Sequence, residues 1–370
     1  MTPPPRLLSV DVLRGLTVAA MVLVNNPGTW SAVYPPLDHA AWNGWTPTDM
    51  VFPFFLFIVG VSIPLALGPS LEQGRAGLGR RVLRRGLVIF TLGLLLHALP
   101  FFQPATIRIP GVLQRIAVCY LLAALLFLAT RGARGWRGQA FVAVALLVGY
   151  WLVMTRVPVP GYGAGNLTPE GNLAGYVDRL VLGPHIWQAS RHYDPEGILS
   201  TLPALATTLL GMLAGYWLRG GRLAARVVGG LVVGGLALAA LGSLWSVWFP
   251  INKSLWTSSY ALLMAGFAAL ALAACHWTTD VVGRRAWAKP FAVLGVNALA
   301  LFFLSSLMAR LLLVIRVGAQ EQRLHGWLFD HLFAPWASPV NASLAYALVY
   351  LLLWWAVMWT LDRRGLRLRV

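Results

Sequence analysis

Charged side chains are scarce in this chain. Only 11% of its 370 residues are Asp, Glu, Lys or Arg, whereas 58% are hydrophobic and the mean hydropathy is +0.69. A soluble domain of this length would carry about a quarter charged residues. Because so little polar surface could not cover a water-soluble globule, the composition excludes an ordinary soluble domain.

Several short enzyme motifs are also missing. The sequence contains no phosphate-binding loop of the G-x-x-x-x-G-K-[ST] type, no H-E-x-x-H zinc motif and no G-x-S-x-G elbow. The two cysteines, Cys119 and Cys275, both fall in apolar runs. They indicate neither a disulfide framework nor a cysteine metal site, so we expect no bound metal.

Ten long runs without a charged residue fill most of the chain. Most of them reach the roughly 20 residues that an α-helix needs to cross a bilayer core. The runs are 15–37, 50–71, 86–107, 116–130, 138–155, 197–218, 227–252, 254–279, 290–309 and 331–361. They predict an all-α, polytopic membrane helix bundle of about ten transmembrane helices, forming one domain over residues 1–370.

The basic surplus has a sided distribution. The net charge is +17. If the N-terminus is cytoplasmic and each run crosses once, the inner segments hold 19 Lys and Arg residues and the outer segments hold 6. This asymmetry follows the positive-inside rule, so we expect both termini in the cytoplasm, a long periplasmic loop at 157–197 and no nucleic-acid partner.

The most unusual segment is "LDHAAWNGWTPTDMVFPFF", residues 37–55, which sets ionisable side chains beside an apolar run. An unperturbed histidine titrates near neutrality and suits proton transfer, so His39 is the main catalytic candidate. Asp38 is a candidate to orient its ring. Asp49 is either a site residue or an acid at a helix start, favoured by the helix dipole. Trp42 and Asn43 are candidate substrate contacts.

Other polar residues interrupt the apolar runs, where ionisable groups often mark functional sites. Asn25 ends the first run before Pro27 and Gly28. Asp11 and Arg14, three residues apart, are either a structural ion pair or a ligand contact. Further candidates on the predicted outer face or within runs are Gln114, Arg115, Asp194, Glu196, Asn252, Lys253 and Asn297.

Six segments along the chain form a recognisable series: "SVDVLRGLTVAAMVLVNNPG", "HAAWNGWTPTDMVFPFFLFIVGVS", "GVLQRIAVCY", "DPEGILSTLPAL", "INKSLWTSSY" and "LGVNAL". Together, and in this order, they resemble the heparan-α-glucosaminide N-acetyltransferase family of transmembrane acetyltransferases. The H-A-x-W-N-G-x-T-x-x-D block is the most specific, and the resemblance covers about residues 7–300.

The resemblance implies an enzyme that transfers acetyl from cytosolic acetyl-CoA to an amino sugar across the membrane. It places the family's active histidine on His39 and its active-site asparagine on Asn25. With only about ten residues before the first run, the chain looks like a compact bacterial member of the inner membrane, acting on a glucosamine-type sugar. Asp11, Arg14 and Asn297 are then candidate acetyl-CoA contacts, and arginines in 75–85 and 284–285 are candidates for its phosphates.

Two chemical schemes fit this resemblance. In direct transfer, His39 takes a proton as the sugar amine attacks the thioester, while Asn25 hydrogen-bonds the acetyl oxygen. In the other scheme, His39 carries the acetyl group covalently. Sequence also leaves open a transporter or flippase for sugars or lipid-linked glycans, an O-acetyltransferase of a lipid-linked glycan, and a homodimer.

Overall fold

The computed structural model describes residues 7–318 and 320–366 and is almost entirely helical. The predicted cytoplasmic ends, 1–6 and 367–370, lie outside the described residues. The helices are α1 Leu8–Val24, α2 Val51–Glu72, α3 Leu78–Ala98, α4 Val112–Ala129, α5 Trp136–Arg156, α6 Leu173–Leu182, α7 Thr201–Arg219, α8 Ala224–Trp245, α9 Ser258–His276, α10 Lys289–Val296, α11 Ala298–Val314, α12 Leu324–Leu332 and α13 Pro339–Arg363. Two short hairpins pair β1 Pro158–Val159 with β2 Gly163–Ala164, and β3 Arg316–Val317 with β4 Gln322–Arg323.

Every predicted apolar run overlaps one or more of these helices. Several of the helices are apolar enough to make the chain a multi-pass membrane protein. Within 7–318 and 320–366, seven helices are long and apolar enough to cross a bilayer, or eight if α10 and α11 form one bent span. Among the helices that fail this test, α1 has 17 residues and α3 carries four arginines near its start, whereas α6 and α12 are too short to span. The count of about ten therefore stays a prediction.

The centre of the bundle is α9, since 78% of its most apolar 18-residue stretch is buried, whereas only 22% of the corresponding stretch of α8 is buried. Beside it, α2 and α7 cross in backbone contact through glycines. A Cβ at Gly60 would lie 1.9 Å from the Thr208 carbonyl oxygen, and one at Gly211 would lie 2.1 Å from that of Phe57. Small residues allow this close approach, and van der Waals contact then holds the two helices together.

The predicted ninth run, 290–309, is not one straight helix. The chain leaves helical geometry at Asn297, and the axes of α10 and α11 differ by 79°. Just before this break, α10 presses on α1, since a Cβ at Gly295 would lie 1.9 Å from the carbonyl oxygen of Asp11. The contact keeps α10 along α1, and α11 takes a new direction after the break.

The connections between long helices gather at two ends. Hydrogen bonds join the connections 25–50, 99–111, 157–200, 246–257 and 315–338 to one another or to adjacent helix ends. We call this the site end. The opposite end carries the arginine-rich connections and includes the ion pair between Arg219 and Glu72.

Candidate active site

The connection between α1 and α2 builds most of the candidate site. α1 ends at Val24, and Asn25 occupies its C-cap position. A short 3-10 helix, Pro47–Met50, then leads into α2, with Thr46 as its N-cap. The Thr46 and Asp49 side chains each bond to the other's backbone N–H, a capping box that fixes the entry into α2. The capping box holds the Asp49 side chain in place, and only 1% of that side chain is exposed.

The capped carboxylate is also the partner of the histidine. Nδ1 of His39 lies 2.7 Å from Oδ1 of Asp49, and the His39 side chain is 40% exposed. Oδ2 of Asp49 accepts the Ala40 and Thr46 backbone N–H groups at 3.1 and 3.0 Å. Asp49 is therefore an acid at a helix start that also contacts His39, and its role as a site residue stays a prediction.

Lys253, from the connection between α8 and α9, completes the cluster. Its Nζ lies 2.9 Å from Nδ1 and 3.3 Å from Nε2 of His39, and 3.2 Å from Oδ1 of Asp49. Burial lowers the pKa of Lys253, and the Asp49 carboxylate offsets part of that shift. Because a lysine ammonium only donates hydrogen bonds, Nδ1 of His39 either accepts from Lys253 or donates to Asp49.

Asp38 and Asn25 do not contact the imidazole. The carboxylate of Asp38 accepts the backbone N–H of His39 at 2.7 Å, which shapes the turn. The Asn25 side chain is exposed and makes no hydrogen bond to His39 within the described chain. The structure thus brings Asp49 to the ring in the place predicted for Asp38.

Trp42, Asn43 and Asn252 support the loop around His39. Nδ2 of Asn252 donates to Oδ1 of Asn43 at 3.2 Å, and its Oδ1 accepts the Leu255 N–H at 2.8 Å. Trp42 donates to the Leu167 carbonyl at 2.9 Å and packs edge-on against Tyr193. The buried Asn252 therefore shapes the turn that carries Lys253.

Asp194 and Glu196 lie in a separate ion cluster. Arg108, which no motif in the sequence points to, donates through Nε to Asp194 at 2.8 Å and also pairs with Glu196. It is the only charged residue in the connection between α3 and α4, which could have drawn notice to it. Next to this cluster, burial raises the pKa of Asp178 to about 6.

Gln114 and Arg115 occupy buried positions in the first turn of α4. Nη2 of Arg115 donates to the Gly197 carbonyl at 3.0 Å and also to Ser200. Its guanidinium lies over the Trp256 ring at 5.2 Å, and Nε and Nη1 have no hydrogen-bond partner among the described residues. Arg115 therefore ties α4 to the start of α7 and to Trp256.

Asp11, Arg14 and Asn297 lie near the contacts of α1 with α2 and α10. Arg14 pairs with Asp11 at 2.9 Å and donates to Ser62 at 2.9 Å, which joins α1 to α2. Asn297 is buried at the break between α10 and α11. The ion pair between α1 residues is therefore present, and ligand contact at these three positions stays a prediction.

One further contact that the sequence did not reveal holds the backbone of Asp49. The Tyr260 hydroxyl, from the first turn of α9, donates to the backbone carbonyl of Asp49 at 2.6 Å. Among the described residues no group of three or more His, Cys, Asp and Glu side chains is placed to hold a metal ion. The imidazole, carboxylate and ammonium groups of His39, Asp49 and Lys253 can transfer protons and stabilise charge.

Comparison with known proteins identifies the family. The family described as "Heparan-alpha-glucosaminide N-acetyltransferase, catalytic" matches residues 6–245. The human heparan-alpha-glucosaminide N-acetyltransferase is 32% identical, over 81% of this chain and 52% of that protein. The mouse protein is 30% identical, over 80% and 53%. The chain spans about half the length of these relatives, and it is a member of the heparan-α-glucosaminide N-acetyltransferase family.

Proposed function

We propose that this chain transfers acetyl from acetyl-CoA to the amino group of a glucosamine-type sugar, with His39 as the general base. The observation that carries the proposal is the 2.7 Å contact between Nδ1 of His39 and the buried Asp49 carboxylate. A buried acid that binds one ring nitrogen fixes the tautomer, so that the other nitrogen carries the lone pair that can accept a proton. The family relationship supports the reaction class.

The transfer step follows from this geometry. With Nδ1–H donated to Asp49, the lone pair of Nε2 receives the proton that the sugar amine loses. The amine nitrogen forms its bond to the thioester carbonyl carbon while the carbon–sulfur bond breaks. His39 then returns the proton to the CoA thiolate. Asp49 stabilises the transient imidazolium, since its negative charge lies in direct contact with Nδ1.

Lys253 has a second role in this scheme. In the resting state its ammonium balances the charge of Asp49, at 3.2 Å. When His39 becomes an imidazolium, two positive charges lie side by side at hydrogen-bond distance, which is unfavourable. Lys253 therefore promotes the return of the proton from His39 to the leaving thiolate.

Asn25 is assigned to the acetyl group. Its carboxamide is exposed at the same end of the bundle and its side chain makes no hydrogen bond within the described chain. An amide N–H aimed at the acetyl oxygen would stabilise the negative charge that develops there. In this proposal Asp38 acts only through the turn that holds His39.

The donor approaches from the other end of the bundle. We assign the CoA phosphates to arginines of 75–85 and 284–285, because guanidinium groups bind phosphates in a bidentate manner. We assign Asp11, Arg14 and Asn297 to contacts with acetyl-CoA between those arginines and the site end. We assign the site end to the periplasmic side of a bacterial inner membrane. A homodimer is compatible with this arrangement.

Direct transfer and a covalent acetyl-His39 intermediate lead to different products in a simple experiment. Incubation of purified protein with acetyl-CoA alone, followed by mass spectrometry, should show no stoichiometric acetylation of His39. An acetyl-His39 adduct that glucosamine then discharges would overturn direct transfer and establish the two-step scheme.

The function itself is tested by acetyl transfer to glucosamine in detergent or nanodiscs. The wild-type protein should form N-acetylglucosamine and free CoA in equal amounts, and His39→Gln should form neither while eluting as a folded species. The proposal fails if the wild type makes no product, or if the His39→Gln variant retains full turnover. Sugar uptake into proteoliposomes without acetylation would instead establish a transporter.

A further inference from the structure

A cavity of about 480 Å³ opens at the site end, between the end of α1 and the helix α12. It lies within the range of about 300–1,000 Å³ that is usual for small-molecule sites. Residues 25–31 form one wall, and Ala309, Leu313 and part of α12 form the other. His39, Asp49 and Lys253 are not among its lining residues. The cavity is therefore a feature additional to the histidine cluster.

The lining combines an aromatic surface with polar groups, one of which, the Asn25 carboxamide, is also the group assigned above to the acetyl oxygen. Trp30 is 59% exposed, so one indole surface is available for stacking. The exposed carboxamide of Asn25 provides both a donor and an acceptor. Nδ2 of Asn26 donates to the Val22 carbonyl at 2.7 Å, which leaves its oxygen available. An aromatic side chain flanked by carboxamides suits a pyranose ring, whose C–H face is apolar and whose edge carries hydroxyl groups.

The charge of the cavity restricts the ligand further. Asp330 is its only charged side chain, and no lysine or arginine lines it within the described residues. Oδ2 of Asp330 accepts from Gln322 at 2.6 Å, so the other oxygen can bind a ligand. Burial lowers the pKa of His325 and so disfavours a positive charge on this second titratable group. The cavity thus disfavours phosphates, sulfates and carboxylates and favours a neutral or cationic ligand.

We propose that this cavity is a recognition subsite for an unsulfated hexosamine unit of the acceptor, stacked on Trp30 and selected by the charge of Asp330. The inference rests on the proposed function for its substrate, and it adds where the sugar is recognised and which sugars are rejected. Because α12 supplies Asp330, the subsite depends on a part of the chain beyond the 6–245 family match.

The test compares two acceptors, glucosamine and glucosamine 6-sulfate, in steady-state acetyl transfer. Asp330→Asn should raise the KM for glucosamine about fivefold and keep kcat within about twofold of the wild-type value. The ratio of kcat/KM for glucosamine to kcat/KM for glucosamine 6-sulfate should therefore fall. Trp30→Ala should raise both KM values about tenfold, and Trp30→Phe should restore most of the loss. Glu170→Gln removes another exposed carboxylate at the site end and serves as the matched control, with both KM values unchanged.

Direct binding separates failure of the subsite from failure of the function. Saturation-transfer NMR with glucosamine on the His39→Gln protein should show binding that Asp330→Asn weakens. If the wild type transfers acetyl but Asp330→Asn and Trp30→Ala leave KM and sugar preference unchanged, the subsite is overturned and the function stands. If no transfer occurs but glucosamine binding depends on Asp330 and Trp30, the function is overturned and the subsite stands.

Discussion

The Nδ1 atom of His39 lies 2.7 Å from the carboxylate of Asp49, ten residues further along the chain. The adjacent Asp38 instead accepts the backbone N–H of His39. This arrangement assigns different tasks to two carboxylates that the sequence places beside the same histidine. Asp49 is buried and capped, whereas Asp38 is a turn residue at the surface.

The first prediction concerns these two acids. Asp49→Asn should lower kcat by about 100-fold or more, because the imidazolium loses its charged partner and the tautomer is no longer fixed. Asp38→Asn should change kcat by less than about threefold, because an amide oxygen can still accept the His39 N–H. Steady-state acetyl transfer measures both variants. A larger loss for Asp38→Asn than for Asp49→Asn would contradict the assignment.

Lys253 gives the second prediction. Lys253→Gln should lower kcat about tenfold, because the proton on His39 is returned less readily without the adjacent ammonium. Lys289→Gln, at the opposite end of the bundle, is the matched control and should turn over normally. Equal activity of Lys253→Gln and wild type would remove Lys253 from the proposed step.

The pH dependence of stability tests the buried Asp178. Its pKa is about 6 in the folded protein, raised by burial from an ordinary value of 3.8. The fold therefore favours the protonated carboxyl, and this contribution is complete below about pH 4 and lost as pH rises through about 6. The loss amounts to at most about 3 kcal/mol. Wild type should lose more thermal stability between pH 4 and 6 than Asp178→Asn, measured by unfolding in detergent. Identical pH profiles would refute the shift.

A fourth prediction concerns the ion cluster at the site end. Arg108→Met leaves the buried carboxylate of Asp194 without its cation, at a cost of about 3–5 kcal/mol in unfolding free energy. Adding Asp194→Asn in the same chain should recover part of this loss, since the uncompensated charge is then gone. Arg156→Met, an exposed arginine at the end of α5, should leave the melting temperature unchanged. If the melting temperature of Arg108→Met equals that of the wild type, the ion cluster does not stabilise the fold.

The crossing of α2 and α7 gives the last prediction. Gly211→Ala should cost about 2 kcal/mol or more, because the new methyl group would meet the Phe57 carbonyl oxygen at 2.1 Å. Gly234→Ala on α8 meets nothing within 4 Å and should be neutral or stabilise by up to about 1 kcal/mol. Thermal unfolding of the two variants measures the difference. Equal melting temperatures would contradict the close crossing.

The helical membrane class of the fold was readable from the sequence, because each helix satisfies its own backbone hydrogen bonds and needs only an apolar run to persist in lipid. The ends of the helices were less predictable. The run 290–309 contains no charge, yet the chain bends by 79° at Asn297. That bend depends on where α10 meets α1, which hydropathy does not record.

The sequence by itself determined that this is a multi-pass membrane protein and that His39 is its most distinctive candidate, since composition and the H-A-x-W-N-G block are local properties of the chain. Only the tertiary structure decided which groups meet that histidine. The Lys253 ammonium, 214 residues away in sequence, lies 2.9 Å from the imidazole. Arg108 forms ion pairs with Asp194 and Glu196, the two acids that the sequence made candidate site residues. Such long-range pairs are set by how the helices pack, because the charges of loops distant in sequence meet only when the bundle closes.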